Sequence, residues 1–242
     1  MTVVVWFSCG VASAVAAKLT LEKYKDVRIV NCPVKEEDAD NLRFMRDVES
    51  WLGHPIETAV NHKYPSCSAV EVWDKRKFMS GPKGAPCTVE LKKEARYQWE
   101  REHKPDWHVL GFTADEKKRY ERFIETERDN VIPVLIDAGI TKAECFDIIK
   151  RAGINRPRIY DQGYPNANCI GCVKATSPTY WNLVREKHPD VFNQRAAQSR
   201  KIGARIVRVH DQRIFLDELN PNDKGRPIKS WDCGVFCEEV VE

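Results

Sequence analysis

At 242 residues the chain is long enough for one full α/β core and short for two independent ones. Its 42% hydrophobic and 31% charged residues and net charge of +3 argue against a protein built around long nucleic-acid contacts. No apolar stretch reaches membrane-spanning length, and the N-terminal residues carry no basic signal-peptide region, so the simplest reading is a cytoplasmic protein.

In chain order, the apolar run Val3–Phe7 predicts a buried parallel strand. Ser8-Cys9-Gly10-Val11-Ala12-Ser13 follows, then a small-residue helix over Ala14–Tyr24 and a second strand over Val27–Asn31. Asn41–Leu52 has helical spacing at Leu42, Met45, Val48 and Trp51/Leu52, and Gly53 ends it. Ile56–Val60 is a third strand. Ser68–Phe78 and Val89–His103 read as helices around the Gly/Pro loop SGPKGAPCT. Trp107–Phe112 is a strand and Glu116–Asn130 a charged helix. Thr141–Ala152 is a helix opened by a capping box of Thr141 and Glu144.

Asp161–Cys172 reads as an irregular loop, and Ser177-Pro178 starts a helix to about His188. Ala204–Val209 and Arg213–Leu216 suit a hairpin, and the tail is polar until its cysteines. The alternation predicts a three-layer α/β fold: a mostly parallel central sheet with helices on both faces, plus an irregular cysteine-bearing C-terminal region. Residues 1–160 are expected to form the α/β core, and 161–242 a cysteine-containing extension packed on it.

The first loop presents helix N-terminal amides to an oxyanion, with Ser8 and Ser13 adding hydroxyls and Gly10 admitting close approach. A tight connection without a ligand is the alternative. Neither GxxxxGK[ST] nor GxGxxG is present.

Nine cysteines are an odd and high count for a reducing compartment, which points to thiols that are buried, catalytic or metal-bound. Cys169 and Cys172 form a CxxC in a Gly/Asn-rich loop, a spacing that serves one metal or a redox pair. Cys87 precedes a helix, and Cys233 and Cys237 lie in the tail. Spacing leaves zinc and iron–sulfur both open. Cys233, followed by Gly in a polar tail, suits a nucleophile. Cys145 reads as core; Cys32 and Cys67 stay open between core and ligand support.

After the strand at Trp107, Glu116, Lys118 and Arg119 sit where open α/β sheets bind ligands. Lys83 lies near Cys87 and within reach of a phosphate, and Lys92 and Lys93 follow one turn later. Arg195, Arg200, Lys201, Arg205 and Arg208 make either a polyanion-facing surface or a solvated one, the latter favoured. The six histidines form no ligand pattern.

Taken in order, FSCGVASAVAAKL, PCTVELKK, GFTADEKKR, YDQGYPNANCIGC and GRPIKSWDCGVF resemble motifs of the phosphoadenylyl-sulfate/adenylyl-sulfate reductase family, within the adenine nucleotide alpha-hydrolase-like superfamily. The resemblance implies an iron–sulfur member in which Ser8, Gly10 and Ser13 contact phosphate or sulfate and Arg119 binds the nucleotide's anionic end. Cys87, Cys169 and Cys172 would ligate a [4Fe-4S] cluster, with Cys233 or Cys237 as further candidates. Cys233 would attack the sulfate sulfur of an adenylylated sulfate (PAPS or APS), and a thioredoxin- or glutathione-like thiol would release sulfite. A homodimer is compatible with this. The departures are Thr88 after Cys87, where iron–sulfur members carry a second Cys, and Cys237 in a tail where the family has His. Ala12 replaces the magnesium-associated Asp of ATP pyrophosphatases. The alternatives are a [4Fe-4S]-dependent sulfur transferase using ATP and acting on tRNA or DNA, and a zinc-stabilised nucleotide-binding or interaction module.

Overall fold

The structure, a computed structural model, describes residues 1–82 and 84–228. Lys83, Cys233 and Cys237 lie outside the described residues. Five parallel strands form the central sheet in the order β3-β2-β1-β4-β5: β1 (Val3–Phe7), β2 (Val27–Asn31), β3 (Ile56–Thr58), β4 (Trp107–Val109) and β5 (Val131–Ile132). The register runs Val3↔Val27 to Phe7↔Asn31 on one side of β1 and Val3↔Trp107 to Val5↔Val109 on the other.

β1 is buried along its whole length because it is the central strand and both its faces are covered. Its alternation divides the core. Val3, Val5 and Phe7 pack against α1 (Val11–Lys23), α2 (Asp40–Leu52), α7 (Val134–Asp137) and α8 (Lys142–Arg151). Val4 and Trp6 pack on the opposite face, against α5 (Ala95–His103) and Phe123 of α6 (Lys117–Thr126). This is the expected three-layer fold. A third core joins α3 (Ala69–Arg76) and the segment around Cys87 to α9 (Pro178–Lys187) and α10 (Pro189–Ile202). The antiparallel hairpin of β6 (Val207–Val209) and β7 (Gln212–Ile214) turns at His210-Asp211, as expected. Among the described residues, no helix is long and apolar enough to cross a membrane.

Four local readings need correction. In α2 the buried face is Asn41, Phe44 and Val48, while Leu42 is 56% exposed. The inward stripe is set by Phe44, which stacks on Phe7 with ring centroids 6.3 Å apart. The charged helix expected over Glu116–Asn130 runs from Lys117 and ends at Thr126, and β5 begins at Val131 as the sheet's edge. The helix expected from Val89 starts at Pro86 as α4 (Pro86–Thr88) and passes through a π-helical stretch, Val89–Glu94, before α5. That wide turn buries Glu90, Leu91 and Lys92 together. Finally, α10 has helix boundaries readable in the sequence, Pro189 in its first turn and the left-handed Gly203 after its end.

Candidate functional site

The strand order reverses between β1 and β4, which opens a crevice at their carboxyl ends. A cleft of about 870 Å³, open solvent included, lies there. One wall is the β1–α1 turn. Cys9 takes a left-handed conformation (φ 56°), and Gly10 precedes α1 without a side-chain cap. The amides of Val11, Ala12 and Ser13 therefore have no partner within the helix. Ser13 is almost wholly buried. Its Oγ donates to the Gly10 carbonyl at 2.8 Å and accepts from Ser8 N–H at 3.1 Å and Ser8 Oγ at 3.3 Å. Ser13 thus braces the loop, and the exposed Ser8 is the hydroxyl left facing a ligand. Gly111, leaving β4, abuts this turn: a Cβ there would stand 2.9 Å from Ser13 N and 3.1 Å from the Ala12 carbonyl carbon.

Cations gather on the other walls. Arg119 lines the cleft, donates to Glu116 at 2.6 Å and stands 5.0 Å above the Phe112 ring. Glu116 is fixed by a capping box with Thr113. Lys142, in the first turn of α8, donates to the Pro165 carbonyl at 2.9 Å and to Asn166 Oδ1 at 2.6 Å. Lys92, from the π-helical turn, is buried and holds Glu37 at 2.9 Å and the Cys32 carbonyl at 2.5 Å. Burial alone would strip its proton, but the Glu37 carboxylate beside it keeps the ammonium charged. Lys118 is exposed and does not line the cleft. Sequence reasoning missed Lys142, Tyr160, Asn166 and Asn168, all of which line it. The only signals were Lys142's place after a capping threonine and the loop's place inside a resembling motif.

The thiols divide into two groups. Cys9, Cys32 and Cys145 are core residues. Burial pushes the Cys9 thiol up and those of Cys32 and Cys145 up to about 12. Cys67 is half-buried in a left-handed turn (φ 53°), and burial raises its thiol pKa too. Cys87, Cys169 and Cys172 all belong to the third core. The CxxC loop is braced from two helices. Tyr180 Oη of α9 accepts the Cys172 N–H at 2.8 Å. Arg195 of α10 donates to the Gly171 carbonyl at 3.4 Å, its guanidinium 4.8 Å from the Trp73 ring. Gly171 sits at φ +69°, and a Cβ there would come within 2.9 Å of Val191. Cys169 and Cys87 both lie within electrostatic range of Arg195. Arg195 is 2% exposed, and its Nη1 has no hydrogen-bond partner among the described residues.

A thiolate-bound metal or iron–sulfur cluster suits such a chamber by charge, since it would offset a buried cation. The donor set is not complete, however. Among the described residues no three His, Cys, Asp or Glu side chains are grouped to hold a metal ion. The described thiols alone therefore do not fit a four-thiolate site.

The late basic segment is not an open cationic face. Arg195 is buried, Arg200 pairs with Asp217 and Glu218, Lys201 with Asp74, and Arg208 with Asp211. Arg200 and Lys201 match the solvated surface favoured above, whereas the buried Arg195 corrects it, because its guanidinium lies inside the third core against Trp73. A second hollow is lined by Glu100, Lys104, His108 and Arg128. There burial and the neighbouring Arg128 and Arg96 hold the His108 pKa down to about 3.

No family model matches the sequence, and no curated protein matches it. Among solved structures the chain is similar to phosphoadenylyl-sulfate (PAPS) reductase from Candida auris, determined as a phosphate complex. The two are 11% identical and superpose with a TM-score of 0.50 over 70% of this chain and 81% of that one. What the protein shares with that reductase is therefore its fold, a three-layer α/β fold with a central parallel sheet.

Proposed function

We propose that the chain is a nucleotide-binding enzyme of sulfonucleotide-reductase type, which takes an adenylylated sulfate, PAPS or APS, in the cleft between β1 and β4. The observation that carries this is the pairing of walls. The uncapped first turn of α1 and Ser8 line one side, and Arg119 and Lys142 stand on others. An anhydride of phosphate and sulfate carries negative charge on both groups and suits such a cleft. Glu116 and Asn166 hold the two cations in place before a ligand arrives.

On this reading the Cys233 thiolate attacks the sulfate sulfur. A sulfur–sulfur bond forms and the sulfur–oxygen bond to phosphate breaks, and the electron pair leaves on the adenosine nucleotide's phosphate oxygen. Arg119 and the α1 amides stabilise that charge. A dithiol carrier such as thioredoxin then attacks the Cys233 sulfur and expels sulfite. Its second thiol resolves the mixed disulfide, so the carrier is oxidised by two electrons as the sulfonate is reduced. No step passes through Cys87, Cys169 or Cys172. These three belong to a metal centre only if Cys67, Cys237 or a non-protein group completes it, because Cys233 cannot be nucleophile and ligand at once. Iron and acid-labile sulfide near four of each per chain in anaerobically purified protein support an iron–sulfur centre. Zinc without sulfide supports a structural site.

The test uses the full-length protein with radiolabelled APS and PAPS. With dithiol present, sulfite is released. Without it, a sulfonate adduct accumulates on Cys233. Cys233→Ala loses both while still binding nucleotide. Nucleotide binding with neither sulfite nor adduct would contradict the reductase reading.

A further inference from the structure

The second hollow lies at the amino end of β4, where Lys104 and Pro105 lead into the strand and Asn130 leads into β5. The cleft lies past the other end of β4, at Leu110 and Gly111. Arg128 and Lys104 are the cations of the hollow's wall and Glu100 is its carboxylate. That carboxylate is already engaged. Arg128 donates to Glu100 Oε1 at 3.2 Å and Oε2 at 3.1 Å, and the wholly buried Arg96 stands with its Nε 3.3 Å from Oε1. Glu127, next to Arg128 in the chain, pairs with Lys93 at 2.9 Å, and Asp106 accepts from the Thr2 N–H at 2.7 Å. Among the described residues the wall is therefore cationic, a balance that favours a bound anion.

The hydrogen-bond count points the same way. His108 lines the hollow and is 3% exposed. The Trp6 indole N–H meets its Nδ1 at 3.1 Å, and Arg128 Nη1 meets its Nε2. Both of these groups can only donate, and a neutral imidazole offers one lone pair. Protonating the ring would remove even that one, and burial beside Arg128 and Arg96 holds it neutral. The site is thus one acceptor short, beside the exposed Lys104.

We propose that this hollow binds a free tetrahedral oxoanion of the sulfate or phosphate class, held by Arg128 and Lys104, at the end of the sheet away from the cleft. The anion supplies the missing acceptor. Arg128 turns N–H groups to it, as a guanidinium does toward oxoanions, and Lys104 adds a point charge. His108 then carries its hydrogen on Nε2, toward the anion, and keeps its lone pair on Nδ1 for the Trp6 N–H. Glu100 stays with Arg96 and holds the second cation in place.

The test uses the full-length protein labelled with nitrogen-15 histidine. Sodium sulfate and sodium phosphate are each titrated in and compared with chloride at matched ionic strength. The His108 ring signals are assigned by their through-space contact with the Trp6 ring. Either oxoanion is expected to shift them saturably toward the Nε2–H form, and chloride is not. Arg119→Ala, which weakens the cleft, should leave that shift in place. Arg128→Gln and Lys104→Glu should each weaken the oxoanion's binding at least about tenfold. Lys104 is exposed, so its variant decides the matter if Arg128→Gln does not fold. No saturable shift in wild type, or an equal shift with chloride, overturns the inference. A shift that Arg119→Ala abolishes and Lys104→Glu keeps also overturns it, because the anion then sits in the cleft.

Discussion

Gly111 has no room for a side chain. Its Cβ would stand 2.9 Å from Ser13 N, and neither the strand end nor the helix turn can give way cheaply. Gly111→Ala is expected to destabilise the protein by about 1–3 kcal/mol in urea denaturation, as overpacking does, and to weaken nucleotide binding by displacing the α1 amides. Wild-type stability and binding in that variant would show that the turn adapts. His108 gives a pH prediction. Its folded pKa is lowered to about 3 from 6.5, chiefly by burial and then by Arg128 and Arg96. The unfolded chain therefore takes a proton that the folded one refuses. This contribution is complete above about pH 6.5 and is lost as pH falls toward 3, by at most about 1.4 kcal/mol per pH unit. Urea midpoints at pH 7 and pH 5 should differ less in His108→Gln than in wild type; identical slopes would refute the assignment. At this scale the sequence was legible for Cys145, an apolar position inside an amphipathic helix, and for the cleft-lining Ser8 and Gly10, just after β1, and Arg119, on the helix that follows β4. It was not legible for Tyr160 and Lys142. They reach the cleft where segments far apart in the chain meet, which no local spacing encodes.

The elements read most easily are those whose ends carry their own chemistry. Thr141 and Glu144 cap α8, Pro178 opens α9, and left-handed Gly53 closes α2. β5 escaped because two residues at a sheet edge make too short a pattern, and the π-helical turn because its period differs from 3.6 by less than a window resolves. Leu42 was misassigned because a stripe one residue over fits the same helical period. α3 offers a test that stays within one element. Ser68 caps it by accepting the Glu71 N–H at 3.3 Å, and it donates to Glu36 at 2.7 Å. Ser68→Ala should cost about 1 kcal/mol of stability in thermal unfolding, with nucleotide binding unchanged. A loss of binding at full stability would mean that α3 supports the cleft directly.

Across the whole molecule, the same parallel sheet that buries β1 on both faces also aligns the loops after β1 and β4, which brings the α1 amides opposite Arg119. The fold class followed from alternating strand and helix signals alone. The thiol chamber was legible only as a set of spacings. Its brace, Arg195, lies on a helix the sequence reading did not delimit, and it had been grouped with surface cations because composition cannot tell a buried guanidinium from a solvated one. On the proposed reading recognition of the anionic substrate is concentrated in the cleft, since Arg200, Lys201 and Arg208 pair with neighbouring carboxylates. The most direct measurement is calorimetric titration of the full-length protein with APS and with adenosine, in wild type and in Arg119→Ala. The account predicts saturable binding of APS, much weaker binding of adenosine, and at least about tenfold loss of APS affinity in the variant. Equal affinity for APS and adenosine, or no binding of either, would contradict it.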